Sequence, residues 1–362
     1  MLYHLLYPLK DYFQPLNLFR YITFRAVYAG ALSLFICLFL GPWVIRQIKK
    51  MSIGQNIRDE VPSQHKTKAG TPTMGGILIL FAILAATLLF ADLSNTNILL
   101  GLFILVAFGL LGYADDYKKV KLGKPRGLNK RTKLFFQCLF ALIIGLILYF
   151  FPMNPQTKTM TNFLFLKNIQ IDFRFFYIPF VMFVIILTSN AVNLADGLDG
   201  LAVGLLGISA GGYAVLSYVS GHSKLAGYLN IMHIPAASEM TIFAFAVLGA
   251  CLGFLWFNTF PAQVFMGDTG SLPLGAIIGF LSIVSKQEFL LVFIGGVFVI
   301  EALTVVLQVI YFHSTKGKRL FRMAPLHHHF ELCGWQEPKI VVRFWVLGIL
   351  LALLAISTLK IR

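Results

Sequence analysis

Five short stretches concentrate the polar chemistry of an otherwise apolar chain. Asp115 and Asp116 stand side by side in GYADDYKKVKLGK, which begins at Gly112. Asn190, Asn193, Asp196 and Asp199 share the stretch NAVNLADGLDG. Asp268 lies in FNTFPAQVFMGDTGS, residues 257–271. His327, His328 and His329 are consecutive in MAPLHHHFE, and Lys68 and Thr73 belong to KAGTPTMGG. Carboxylates are hard oxygen ligands, and Mg²⁺ takes one or two of them together with substrate phosphates. Glycine-rich turns bring backbone amides and helix N-termini close to anions. Histidines can donate hydrogen bonds at neutral pH. The combination points to phosphate chemistry around a divalent cation.

Each stretch also has a plainer reading. Asp115 and Asp116 can pair with Lys119 at i+4 and i+3. An acid at a helix C-terminus opposes the helix dipole, so both residues call for a partner such as a cation. Asp196 and Asp199 share a face if helical, with Asn193 three residues earlier. Asp199 alone is suited to an N-cap, but a cap needs one acid rather than two acids and two asparagines. Asp268 can be a cap or a metal ligand. Three adjacent imidazoles match no zinc spacing, and hydrogen bonds to phosphate or sugar suit them better. Glu301 lies deep in an apolar run, where an acid marks function or a buried pair. Gln308, seven residues later on the same face, is the better ligand candidate.

The elements that carry these residues are membrane helices. The 362-residue chain is 58% hydrophobic and 12% charged, about half the charge of a soluble domain, roughly 25%. Ten apolar runs occur at about 22–45, 74–91, 97–114, 133–151, 174–190, 200–219, 240–257, 271–285, 288–312 and 341–359. They predict an all-α polytopic membrane protein of about ten transmembrane helices, a single domain over 1–362. The first run shows no cleavage site after it and is too long for a signal peptide. Asn162–Phe173 reads as two alternating stretches around Lys167-Asn168, a small hairpin. Four cysteines form no CxxC pair, and buried thiols are the expected role.

The formal net charge is +15, and most lysines and arginines fall on loops after odd-numbered runs. The positive-inside rule makes that side cytoplasmic and puts both termini in the periplasm. All five polar stretches fall on the same side, so five cytoplasmic loops would build one site. The basic strip after Asp116 is chiefly a topology and headgroup signal. One or two of its lysines, Lys119 among them, can still hold phosphate. Nucleic acid is not an expected partner.

At this point a resemblance enters. TPTMGG, ADDYKK, NAVNLADGLDG, FLWFNTFPAQVFMGDTGS and RMAPLHHHFELCGW resemble the phospho-N-acetylmuramoyl-pentapeptide translocase (transferase) family of bacterial peptidoglycan synthesis. That family lies within the polyprenyl-phosphate N-acetylhexosamine-1-phosphate transferase superfamily. The similarity runs in order along nearly the whole chain. Ala195 stands where many relatives have threonine. The resemblance implies that UDP-N-acetylmuramoyl-pentapeptide and undecaprenyl phosphate give lipid I and UMP with Mg²⁺, at the cytoplasmic face of the bacterial inner membrane, in a homodimer. It implies Asp115, Asp116 and Asp268 as catalytic acids, with Asp268 on the metal. It places Lys68, Thr73, Asn190, Asp196, Gly197, Leu198, Asn258, Phe265 and Gln308 around nucleotide and sugar. Asn193, Asp199 and Lys119 join this substrate-binding set, and His327, His328 and His329 sit near the phosphates.

Physical chemistry bears on that reaction. One phosphoanhydride replaces another, so no external energy source is needed, and the sequence has no GxxxxGK[ST] loop. A lipid phosphate with a second pKa near ~6 is mostly dianionic at pH 7, so a general base is hardly required. Asp115 and Asp116 are therefore expected to organise charge rather than take a proton, and a two-step covalent route stays open beside the one-step one. Two other readings stay open: a relative that uses UDP-N-acetylglucosamine, and an ion-coupled transporter, which would place acids at the midplane of several helices.

Overall fold

The computed structural model describes residues 2–51, 71–121, 127–163 and 170–361. In chain order its helices are α1 (Leu2–Leu6), α2 (Ile22–Met51), α3 (Gly76–Phe90), α4 (Thr96–Lys121), α5 (Lys130–Phe150), α6 (Tyr177–Ala195) and α7 (Leu201–Gly221). There follow α8 (Ser223–Leu229), α9 (Met240–Asn258), α10 (Asp268–Val284), α11 (Leu291–Ile294), α12 (Gly296–Ser314), α13 (Leu326–Leu332) and α14 (Glu337–Ile361). Among the described residues eight helices are long and apolar enough to cross a membrane, and α3 and α10 are shorter apolar helices. Strands β1 (Met160–Asn162) and β2 (Gln170–Asp172) pair antiparallel, with Thr161 opposite Ile171. The hairpin therefore starts slightly before the expected segment, and Lys167 and Asn168 lie outside the described residues.

Helix α10 is the centre of the bundle. At 1.5 Å per residue its 17 residues span about 25 Å, less than a ~30 Å hydrocarbon core. Every residue from Thr269 to Val284 is buried, so protein rather than lipid covers its backbone. Helix α4 packs so closely here that a Cβ on Gly112 would lie 2.1 Å from the Asp268 carbonyl oxygen. Only glycine permits that approach, and it brings the following turn of α4 onto the start of α10. Helices α2 and α9 meet through Ser33, whose hydroxyl donates to Ala246 O at 2.7 Å.

Three expectations change. Helix α4 does not end at Asp115-Asp116 but continues to Lys121, because Lys119 turns back to pair with both acids. The run 288–312 is broken at Gly295, leaving α11 and α12. Helix α12 then leaves the bundle: Leu303, Val306, Leu307, Val309 and Ile310 are all about half exposed on an apolar surface. The histidine segment is a short helix, α13, rather than a loop.

The end of the bundle away from the acidic motifs is fixed by a buried ion pair and by hydrogen bonds to buried charged groups. Arg25 donates to both Glu239 oxygens at 2.9 and 2.6 Å and to Phe90 O at 3.2 Å. Lys286 donates to the Tyr177 hydroxyl at 2.6 Å, and Thr161 donates to Glu288. Each of these buried charged groups finds a partner, without which its burial would be costly.

Candidate active site

Four helices deliver one charged cluster. Helix α4 supplies Asp115, Asp116 and Lys119, and α10 begins with Asp268. The first turn of α5 supplies Lys133 and the last turn of α6 supplies Asn193. Asp268 Oδ2 accepts from Lys119 Nζ at 2.9 Å and Lys133 Nζ at 3.0 Å. Its Oδ1 accepts from Asn193 Nδ2 at 2.6 Å. Lys119 Nζ also lies 2.5 Å from Asp115 Oδ2 and 3.8 Å from Asp116 Oδ1. Asp115 Oδ1 accepts the Leu128 amide at 2.7 Å, which draws the loop before α5 over the cluster.

Asp116 has a second task. Gly267, the residue at the N-cap of α10, offers no side chain. Asp116 substitutes from the neighbouring helix: it accepts the Asp268 amide at 3.2 Å, the Thr269 amide at 2.9 Å and the Thr269 hydroxyl at 2.7 Å. A carboxylate here satisfies orphan amides and complements the positive end of the dipole. The cap belongs to Asp116, not to Asp268.

Asp115, Asp116 and Asp268 each offer an oxygen within 4.8 Å of the others. Three carboxylates are a hard, oxygen-only donor set, which fits Mg²⁺. Lys119 and Lys133 now balance much of this negative charge. Asp196, just beyond α6, feels what remains. Burial first, then the negative charges of Asp268, Asp116 and Asp199, pushes its carboxyl up to about 8, although the Gly267 amide pulls the other way.

The remaining expected residues form outer layers. Thr73 is buried beside the Gly267 turn, and the Pro72–Gly76 backbone pairs with Phe265 and Met266. Asn190 donates to Gln137 at 3.0 Å and to Ile186 O at 2.8 Å. Leu198 is buried. Asp199 does not cap α7; it accepts the Ala262 amide at 3.0 Å. Asn258 accepts the Gly200 amide and donates to Val264 O, which ties the two loops together. Lys68 lies outside the described residues.

The histidines and Gln308 are spread over a second corner. His327 is fully buried, with its backbone amide 3.2 Å from Glu301 Oε1 and its Nδ1 3.1 Å from Glu301 Oε2. A Cβ on Gly197 would lie 2.4 Å from His327 Nε2. His328 Nδ1 lies 2.6 Å from Glu331, and His329 Nδ1 accepts the Arg322 amide at 3.2 Å. Gln308 accepts the Phe321 amide at 2.9 Å. Successive helical residues point about 100° apart, so three adjacent histidines take three different partners.

Sequence reasoning did not select Lys133, Gln137 or Glu337, whose Oε1 accepts the Asp199 amide at 2.7 Å. Lys133 did carry a signal: a cation in a first helical turn opposes the dipole and asks for an anion. Gln137 and Glu337 act on backbone and side-chain partners far away in sequence, which no local pattern reports.

Comparison with known proteins gives the family. The model of glycosyl transferase family 4 matches residues 98–286, which include all three acids. A phospho-N-acetylmuramoyl-pentapeptide-transferase signature matches residues 68–80. Phospho-N-acetylmuramoyl-pentapeptide-transferases of Thermodesulfovibrio yellowstonii and Desulforapulum autotrophicum are each 52% identical over the full length of both chains. That of Pelobacter propionicus is also 52% identical over the full length. Full-length identity at this level, together with the family model and the signature segment, makes this chain a member of the phospho-N-acetylmuramoyl-pentapeptide-transferase family of membrane transferases.

Proposed function

We propose that the protein transfers phospho-N-acetylmuramoyl-pentapeptide from its UDP derivative to undecaprenyl phosphate, giving lipid I and UMP, with Mg²⁺, at the cytoplasmic membrane surface. The observation that carries this reading is the cluster of Asp115, Asp116 and Asp268 with Lys119 and Lys133 at one end of a membrane bundle. A soluble nucleotide and a lipid headgroup can meet there. An apolar cavity of about 290 Å³ between α6, α10 and α12, lined by Phe183, Leu187, Ile278 and Val306, suits an isoprenoid chain.

In this reading an oxygen of the lipid phosphate attacks the sugar-bearing phosphorus. A new phosphorus–oxygen bond forms, the anhydride bond breaks, and UMP leaves with the electron pair. No proton has to move when the nucleophile is a dianion. Mg²⁺ held by the three carboxylates would supply charge stabilisation to phosphate oxygens. Lys119 and Lys133 supply fixed positive charge beside the same acids, so growing negative charge meets donors that need no reorganisation. Asp116 holds the start of α10, and Asn193 orients Asp268 through its 2.6 Å bond.

Release of UMP by the purified protein tests the reading. UMP should appear only with UDP-N-acetylmuramoyl-pentapeptide, undecaprenyl phosphate and Mg²⁺ together. Release with UDP-N-acetylglucosamine in place of that donor would overturn the substrate assignment. No release with either donor would overturn the transferase chemistry for this chain.

A further inference from the structure

Glu301 is an acid inside an apolar helix, fully buried, at the point where α12 departs from the bundle. It touches neither the three acids nor the lysines that hold them. Both of its oxygens are directed at one residue: Oε1 at the His327 backbone amide and Oε2 at His327 Nδ1, 3.2 and 3.1 Å away. A carboxylate accepts only, so Nδ1 carries the proton in this pair, which fixes both the tautomer and the ring orientation. The other ring nitrogen, Nε2, is buried and has no hydrogen-bond partner. It faces Gly197, where a Cβ would come within 2.4 Å. Gly197 follows Asp196 in the turn between α6 and α7.

We infer that Glu301 is a positioning residue: acting through His327, it sets the Asp196–Gly197–Leu198 turn for the nucleotide donor. This rests on the function proposed above: Asp196 of that turn lies beside the Gly267 amide and the charges of Asp268 and Asp116, where that reading has the donor's phosphates meet the acids. Two features separate the idea from a merely structural ion pair. An unsatisfied buried nitrogen is costly, so Nε2 calls for a partner that the folded chain does not supply. Here the pair is completed on one side and left open on the side that faces the turn. A side chain at position 197 would close that approach, and the chain has none there. His327 thus differs from His328 and His329, whose ring nitrogens lie beside Glu331 and Arg322 in their own corner.

The test is a double-mutant cycle on the full-length protein in detergent, read by initial rates of UMP release with each substrate varied in turn. Wild-type release is measured first, and its absence would sink the proposed function rather than this inference. Glu301→Gln should raise KM for the nucleotide donor about tenfold, the loss of one hydrogen bond to a charged group. KM for the lipid phosphate should stay unchanged. His327→Asn keeps a polar group toward Glu301 but places nothing at Nε2, and should raise the same KM. Adding Glu301→Gln to His327→Asn should then cost less than about twofold more, because both changes break one linkage. Glu301→Asp, which keeps the charge, should recover part of the loss and serves if Glu301→Gln does not fold. Multiplicative losses in the double variant would overturn the inference, as would equal changes in both KM values or a fall in kcat alone.

Discussion

Asp116 on α4 caps α10 through Thr269, accepting its amide at 2.9 Å and its hydroxyl at 2.7 Å. One carboxylate therefore joins two helices and stands in the acid cluster at the same time. Capping residues contribute about 0.5–2 kcal/mol. Asp116→Ala should lower stability by about that amount and abolish UMP release. Thr269→Val removes only the hydroxyl bond, and should cost ~1 kcal/mol while leaving measurable transfer. Thermal unfolding in detergent alongside UMP release distinguishes them. An unchanged melting temperature in Asp116→Ala would remove the capping role.

The two lysines on Asp268 are predicted to matter separately. Lys119 also reaches Asp115 and Asp116, whereas Lys133 meets Asp268 from a different helix. Lys133→Met should lower kcat about a hundredfold, the range for loss of one donor that stabilises developing charge. It should leave the fold intact, since only one contact to Asp268 is lost. A wild-type rate in Lys133→Met would confine that lysine to structure.

Divalent-cation dependence should follow the acids. EDTA should stop transfer and Mg²⁺ restore it. Asp268→Asn should abolish transfer and also remove any rise in melting temperature on adding Mg²⁺, because a single loss from three hard donors weakens the site. The same Mg²⁺-induced rise in wild type and Asp268→Asn would place the ion elsewhere.

The acid cluster also predicts a pH effect on stability. Asp196 is pushed up to about 8 in the fold, while an unfolded aspartate titrates near ~3.9. Between these values the folded state binds more protons, so its stability is greater at low pH and falls as pH rises toward 8. In EDTA, where no divalent ion offsets Asp268 and Asp116, Asp196→Asn should flatten that fall between pH 5 and 8. A slope identical in the variant would assign the titration to another group.

Gly112 gives a packing prediction. A Cβ there would sit 2.1 Å from backbone that cannot rotate away. Gly112→Ala must push α4 off α10 and separate Asp115 and Asp116 from Asp268. Overpacking of this kind costs about 1–3 kcal/mol, and transfer should fall by more than the loss of folded protein explains. Full activity in Gly112→Ala would show that the two helices have slack.

Much of this site was legible in sequence, for a physical reason. Asp115, Asp116, Asp268, Asn193 and Lys119 are polar residues at the ends of apolar runs, where each has to be explained. Their convergence on one end follows from counting helices. What was not legible depended on partners distant in sequence. Nothing local says that Asp116 caps a helix 152 residues later, or that α4 continues past its acids because Lys119 folds back onto them. Gly295 breaks the ninth run without a proline to mark it. The three histidines looked like one feature, yet a short helix sends each to a different neighbour. The charge count pointed to a cation or phosphate site, but only tertiary structure could bring in Lys133 from α5.

Because α10 is enclosed by other helices along its whole length, Asp268 is held by protein contacts rather than by the depth of the bilayer. A span bordered by lipid tilts or shifts when the hydrocarbon thickness changes. Here bilayer lipid meets chiefly the surrounding helices, so the spacing between Asp268 and the α4 acids is set by helix packing. The transferase should keep its catalytic geometry in membranes of differing chain length, with adaptation falling on outer helices such as α12.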